Sequence, residues 1–409
     1  MGKVPSHSEG DRREGSTERR DHGFSGPYCL ERFDRRDGFC ETSSHRRESG
    51  LGALRSLWSV FVLVGGFSYN LDSGFQEKGE EVVRGHAMRI LLIGVGRWGR
   101  NHLKSWTKLA KELYVADADP AQSKVCSEFS IPSSHFSLDY RDFLDRVDGV
   151  DIVTPAESHL SLCRDALEHG KDVFVEKPIA LTTREAEEMI GLAEKKGRIL
   201  QVGHIYRYHP ASTKIRTLLE AGELGTIRYA YGHFMGFKRP RTDVGVTQTD
   251  AIHFIDLFNF LFGERPSAVT AVIRHYLELP LDDTSFSALE YGNKIVFIEA
   301  GYLPPEKRRD ISIVGDRASL SCDLQRDILL RCGNRHEKQA GRCVAIEGQA
   351  SQVGFPREEP LKVELEAFAD SIETRKKPLS DGRAGYEALK VVEACYESSQ
   401  SGRRVEMKW

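Results

Sequence analysis

Apolar and polar residues follow two different rhythms along this chain, and the change falls near residue 208. Between 88 and 208, short apolar runs at 89–93, 113–116, 149–153, 172–175 and 199–202 alternate with helical stretches such as 160–168 and 183–195. That alternation is what a doubly wound parallel α/β sheet requires. Gly170 and Gly197 stand where two of the helices should stop. Past residue 208 the segments 227–234, 268–275, 285–291, 295–301, 310–314 and 328–332 predict strands of a largely antiparallel open sheet. One helix is expected around 249–261, and helical periodicity returns at 361–373 and 384–399. The expected fold class is therefore α/β, with a parallel-sheet domain over 88–208 and a second α/β domain over 209–409. There is no internal repeat.

Residues 1–87 do not share either rhythm. Mixed charge runs such as Asp11-Arg12-Arg13-Glu14 and Asp34-Arg35-Arg36-Asp37 predict disorder over residues 1–50. The apolar stretch 57–67 is too short to span a bilayer, which takes roughly 20 residues, and no Ala-x-Ala cleavage site follows it. Met88 stands directly before the first predicted strand, so translation starting there is the expectation, with residues 1–87 a non-native extension.

The whole chain has 409 residues, 40% hydrophobic and 29% charged, enough for a large core and more than one domain. Lys+Arg 58 against Asp+Glu 61 gives a formal charge of -3 and no general field for nucleic acid or an anionic membrane surface. Any anion site must be local. Eight cysteines (Cys29, Cys40, Cys126, Cys163, Cys322, Cys332, Cys343 and Cys395) show no metal-ligand spacing and read as reduced thiols of a cytoplasmic protein. Cys332 and Cys343 bracket His336, but a third and fourth ligand are missing, so no metal is expected.

Candidate chemistry begins where the first strand ends. Gly94-Val95-Gly96-Arg97-Trp98-Gly99 fits Gly-x-Gly-x-x-Gly, whose glycines allow a tight turn, close approach of a pyrophosphate and close helix packing. It follows an apolar strand, opens a helix and is followed by Asp117 at the end of the next strand. These features predict a Rossmann domain that binds NAD. A carboxylate at 117 accepts the ribose hydroxyls and repels the 2′-phosphate of NADP, whereas Asp119 reads as the start of an Asp-Pro turn. The fourth strand leads into Thr154-Pro155 and His159, and the fifth ends in Glu176-Lys177-Pro178. Both tips belong to the carboxyl edge of the sheet, where the nicotinamide should lie. The proline fixes the backbone just after Lys177 and aims its ammonium into the cleft.

The motifs IGVGRWGRNH, ADADP, TPAESH, VFVEKPIALT, GHIYRYHP, LLEAGELGTI, DAIHFIDLFNFLFG and AFADSI…GYEALKVVEA, in this order, resemble the glucose–fructose oxidoreductase and inositol dehydrogenase (Gfo/Idh/MocA) family. The resemblance runs from Met88 to Val405. It implies a Rossmann domain followed by an α/β domain whose open sheet mediates homodimers or homotetramers. It gives Lys177 contact with both substrate hydroxyl and cofactor, puts Glu176 near the nicotinamide ribose, and makes His253 the base. The family's usual aspartate four residues before that histidine is replaced here by Thr249, with Asp250 three before. Either spacing falls on one helix face, so Asp250 can reach the substrate or orient the imidazole; Asp256, three residues after His253, can support it from the other side.

Oxidising a secondary alcohol removes a hydride to the nicotinamide and a proton from oxygen. His253 can accept that proton near neutral pH without a large shift, whereas Lys177 would need burial to depress it. His253 is thus expected as base, and Lys177 as the group that holds the hydroxyl and stabilises developing alkoxide. Lys238, Arg239 and Arg241 form a basic loop suited to clamping a phosphate or carboxylate, which favours a nucleotide sugar over a free sugar or cyclitol. Two rivals remain. A sensor of the NAD(H) ratio would need neither Lys177 nor His253, and a lyase or glycosidase using NAD transiently would accumulate no NADH.

Overall fold

The computed structural model describes residues 87–409. The charged leader, the apolar stretch 57–67, Cys29 and Cys40 lie outside the described residues. Within them, six strands form a wholly parallel sheet: β1 (Arg89–Ile93), β2 (Glu112–Ala116), β3 (Phe136–Ser137), β4 (Gly149–Ile152), β5 (Asp172–Glu176) and β6 (Leu200–Gly203). Their order is β3-β2-β1-β4-β5-β6. Because β1 lies between β2 and β4, the connections diverge at its carboxyl end and leave a crevice there, the position at which such sheets bind ligands.

Helices α1 (Gly99–Leu109), α2 (Ser123–Glu128), α3 (Arg141–Leu144), α4 (His159–Glu168) and α5 (Thr183–Lys196) link these strands. Both faces of β1 are covered, so Ile90, Leu91 and Leu92 are all fully buried, which is why the strand reads as an unbroken apolar run. α5 starts at a capping box between Thr182 and Glu185 and stops at Gly197, whose φ of 61° is left-handed. Gly170 also has positive φ, just past the end of α4.

The second sheet has nine strands: β7 (Ile227–Met235), β8 (Ala268–Arg274), β9 (Thr284–Tyr291), β10 (Lys294–Gly301), β11 (Arg308–Gly315), β12 (Ser319–Asp323), β13 (Ile328–Cys332), β16 (Ala350–Gln352) and β17 (Val405–Glu406). β14 (Arg335–Gln339) and β15 (Arg342–Ile346) pair as a separate hairpin. The sheet order is β16-β13-β12-β11-β7-β10-β9-β8-β17, antiparallel except where β7 meets β10. Its inner face packs on α6 (Pro210–Glu220), α7 (Ile252–Phe262) and the last helix, α9 (Gly382–Ser401), around Phe254, Phe258, Tyr291 and Val391.

The last two helices do not stay with the second sheet. α8 (Pro360–Thr374) buries Leu361, Leu365 and Phe368 against Trp106 of α1 and Phe174 of β5. Burial of such a ring contributes roughly 2–3 kcal/mol, so α8 is part of the parallel sheet's cover although it lies far along the chain. α9 packs on α5 and β6 as well as on α7 and β8, holding the two sheets together. Among the described residues no helix is long and apolar enough to cross a membrane, and the six cysteines are free thiols.

Candidate active site

The crevice is built first by the glycine turn after β1. Gly94 has φ 93°, and a Cβ there would lie 2.6 Å from the Val153 carbonyl oxygen; a Cβ on Gly99 would lie 2.1 Å from the Gly94 oxygen. Gly96 meets nothing within 4 Å, so its backbone is open to a ligand. Asp117 accepts hydrogen bonds from the amides of Val95 at 2.8 Å and Asp119 at 2.9 Å, which fixes its carboxylate beside the turn. An open backbone cradle beside a fixed carboxylate fits the pyrophosphate and ribose of NAD. Asp119 accepts from Ala121 N–H and opens the Asp-Pro turn, as its sequence position suggests.

Three further loops at the same edge converge on β5. Thr154 Oγ1 lies 2.6 Å from Ser158 Oγ, after Pro155. His159 is fully buried, with Nε2 3.0 Å from the Thr154 carbonyl and Nδ1 3.0 Å from that of Pro178. This corrects its expected role: its fully buried ring is wedged between the β4 loop and the β5 loop, with one N–H to donate to either carbonyl, so it shapes the crevice from behind. Glu176 is buried; its Oε1 accepts from Trp98 Nε1 at 2.8 Å and lies 3.1 Å from His102 Nε2, while Oε2 accepts from the Lys177 amide at 3.1 Å. Gly203 on β6 leaves room for this carboxylate, since a Cβ there would lie 2.7 Å from Oε1. Arg97, in the same turn as Trp98, is exposed.

Lys177 precedes Pro178 across a cis peptide bond and donates from Nζ to the Thr249 carbonyl at 2.7 Å. That carbonyl belongs to a short π-helical segment, Thr247–Ala251, that leads into α7. Irregular turns of this kind recur at functional sites because they re-aim the backbone. Thr249 Oγ1 lies 2.8 Å from Tyr302 Oη, so the residue at the place of the family aspartate is held by the residue that follows β10. Asp250, 4% exposed, accepts from Lys238 Nζ at 2.6 Å. It is therefore paired with the basic loop and makes no hydrogen bond to His253.

His253 stacks on Phe234 at 4.9 Å between centroids and meets Tyr206 edge-on at 5.3 Å. Its Nδ1 is buried without a partner. Burial, then the charges of Lys177, His204, Arg309 and Lys238, hold the imidazole well below its ordinary range. The expectation of a nearly unshifted histidine is thus corrected: the site disfavours the imidazolium. Burial likewise pulls Lys177 down, to about 8, with Arg241 and Lys238 adding to the effect and Glu176 and Asp250 opposing it. His204, 1% exposed at the end of β6, is pulled down to about 4 by burial, with Arg207 and Lys177 adding to the effect and Asp256 opposing it.

Asp256 does not support His253. It is 1% exposed and clasped by Arg207, whose Nε lies 2.9 Å from Oδ2 and whose Nη2 lies 2.7 Å from Oδ1. Arg207 also donates to the Leu379 carbonyl, so the pair ties α7 to the segment between α8 and α9. The basic loop is partly neutralised: Lys238 pairs with Asp250 and Arg241 with Asp243, which leaves Arg239 exposed without a carboxylate.

Sequence reasoning missed two groups here. Arg309 sits 3.7 Å over the Phe234 ring and donates to the carbonyls of Met235 and Arg308. It gets there through the register of β11 on β7, which sets Arg309 opposite Phe234, and no local pattern signals that pairing. His102 lies within the IGVGRWGRNH motif, and its signal was a histidine inside an otherwise buried helix face.

Comparison with known proteins agrees with this arrangement. Residues 88–204 match an oxidoreductase family's NAD-binding Rossmann fold, and 216–407 match the same family's C-terminal alpha/beta domain. The chain belongs to the Gfo/Idh/MocA oxidoreductase family. It is an NAD-dependent dehydrogenase of that family. UDP-N-acetylglucosamine 3-dehydrogenase of Acidithiobacillus ferrooxidans is 29% identical over 306 residues, 74% of this chain and 94% of the relative. D-apiose dehydrogenase of Paraburkholderia graminis is 27% identical over 344 residues, 78% of this chain and 89% of the relative. Among solved structures, the Acidithiobacillus enzyme superposes with a TM-score of 0.68 at 26% identity, covering 77% of this chain and 98% of that one. A levoglucosan dehydrogenase complex with NADH and levoglucosan gives 0.70 at 21% identity, covering 79% and 100%.

Proposed function

We propose that this Gfo/Idh/MocA enzyme oxidises a secondary hydroxyl of a sugar, with His253 as the base and Lys177 as the cation that holds the oxygen. The observation that carries this reading is the geometry at the crevice: a packed imidazole whose buried Nδ1 has no partner, and a Lys177 amine held 2.7 Å from the carbonyl of Thr249, four residues before His253. Burial lowers both groups from their ordinary values. A neutral imidazole can accept the hydroxyl proton, and an ammonium stabilises the developing alkoxide more than the alcohol. NAD, when bound, supplies the hydride acceptor. Asp250 and Lys238 form an ion pair beside them that can orient neighbouring hydroxyls of the substrate.

A nucleotide sugar is favoured as substrate. Arg239, exposed and without a carboxylate, supplies a guanidinium for a diphosphate, and the relative from Acidithiobacillus acts on UDP-N-acetylglucosamine by its name. A free sugar or cyclitol is the alternative, in line with the apiose and inositol dehydrogenases among the relatives. The proposed working form is a cytoplasmic homodimer or homotetramer formed through the open face of the second sheet. The domain division proposed is 88–208 and 209–409, with α8 crossing back onto the first sheet.

The test is NADH formation by the full chain with UDP-N-acetylglucosamine, other UDP-sugars, the matching free sugars and inositols. Net NADH is expected, with UDP-sugars giving the higher kcat/KM. Binding of sugar without net NADH across the panel would contradict dehydrogenase action and favour a lyase or a sensor.

A further inference from the structure

His102 has no exposed surface, yet both of its ring nitrogens face carboxylates. Nδ1 lies 2.8 Å from Asp151 Oδ2 on β4, and Nε2 lies 3.1 Å from Glu176 Oε1 on β5. A neutral imidazole has one N–H and can satisfy only one of these oxygens, so the three groups share one further proton, and with both carboxylates already accepting from tryptophan N–H groups the geometry points to the imidazolium. The surrounding donors are consistent with two anions. Trp106 Nε1 donates to Asp151 Oδ2 at 2.7 Å, and Trp98 Nε1 donates to Glu176 Oε1 at 2.8 Å.

Glu364 on α8 also faces the cluster, as Lys177, His204 and His159 do on the Glu176 side; neither Glu364 oxygen has a partner, nor has Asp151 Oδ1. Burial, reinforced by the charge of Glu176, pushes Glu364 well above the usual carboxyl range, so it faces the cluster neutral. The other neighbours, Phe174 and Trp98, meet the His102 ring edge-on. Burial alone would drive His102 down, but Asp151 and Glu176 override it and raise it to about 10. In return, the bond and charge of His102 help keep Glu176 below its ordinary range against burial.

We propose that His102 is a positioning residue for Lys177: as an imidazolium bridging Asp151 and Glu176, it holds the Glu176 carboxylate against the Lys177 amide and keeps that carboxylate charged. The consequence falls on the Lys177 side chain. The anions that favour its ammonium are Glu176 and Asp250, against burial, Arg241 and Lys238. Without a charged Glu176, Lys177 loses the first of these two and its midpoint falls further. The proposal builds on the reading of Lys177 as a cation, but its test needs no substrate.

The experiment uses the full chain and two readouts. Nitrogen-15 NMR of histidine-labelled protein, with His102 assigned by comparison with His102→Gln, reports its protonation. Trace acetylation with acetic anhydride between about pH 6 and pH 10, read by mass spectrometry of the Lys177 peptide, reports the amine's midpoint. The expected results are a His102 ring protonated on both nitrogens at pH 8 and a Lys177 midpoint near 8. His102→Gln and Glu176→Gln should each lower that midpoint by about one pH unit, and the double variant no further than either, because both act through one carboxylate. A neutral His102 ring at pH 7 overturns the proposal. So does a Lys177 midpoint that moves in Glu176→Gln but not in His102→Gln. Should His102→Gln not fold, His102→Asn replaces it, and the spectrum of the unaltered protein still decides. Because no turnover is measured, failure of the dehydrogenase reading leaves this result standing.

Discussion

Asp117 shows how one residue serves both the fold and the choice of cofactor. Its two oxygens accept the amides of Val95 and Asp119, so it is a fixed negative charge at the tip of β2. A fixed carboxylate cannot swing away from a 2′-phosphate, so the expected preference is for NAD over NADP. Asp117→Ser removes the charge while a hydroxyl can still accept one amide. It should improve NADP binding relative to NAD by at least tenfold, equivalent to about 1.4 kcal/mol, in fluorescence titrations with each dinucleotide. An unchanged ratio would mean that Asp117 serves the glycine turn alone. The residue could be picked out of the sequence because the turn and the strand that fix it are local. Asp256 could not be judged that way: helical spacing puts it on the same helix as His253, but its partner, Arg207, comes from a different element.

At the scale of elements, strands with a strong apolar rhythm were legible and weak ones were not. β1 and β13 lie where the pattern puts them, and the other strongly patterned strands differ by a residue or two at their ends. β12 carries only Leu320 and Cys322 as apolar residues and β14 carries none, so periodicity has little to detect in either. The second sheet's outer face explains another pattern. Tyr231, Val272, Phe286 and Phe297 are exposed there, and Phe297 sits beside Tyr231 in register. Adjacent strands thus present large apolar groups together, a patch of the kind that marks an interface. A second copy of the chain is the proposed occupant. Light scattering at about 10 μM should give a dimer or tetramer, and the Phe286→Glu and Phe297→Glu double variant a monomer that still binds NAD. A monomeric parent protein would contradict the assignment of this face.

For the whole molecule, the fold class and the identity of the catalytic candidates could be read from motifs, because the carboxyl edge of a parallel sheet gathers the ends of β1, β4, β5 and β6 by topology alone. What the sequence could not convey was the charge state of those candidates. It depends first on burial and then on groups brought in from afar: Arg309 by the register of β11 on β7, and Lys238 and Arg241 by the loop after β7. Burial and those groups hold His253 well below its ordinary range and bring Lys177 down to about 8. The pH dependence therefore has a definite sign. With the best substrate of the panel, kcat/KM should be flat through the ordinary histidine range and fall as pH rises through about 8, where Lys177 loses its proton. Lys177→Arg, which stays charged, should lose that falling limb even if its turnover is low. A kcat/KM that instead rises through pH 8 in the parent enzyme, and no longer does so in Lys177→Arg, would make Lys177 the base and contradict the assignment of His253.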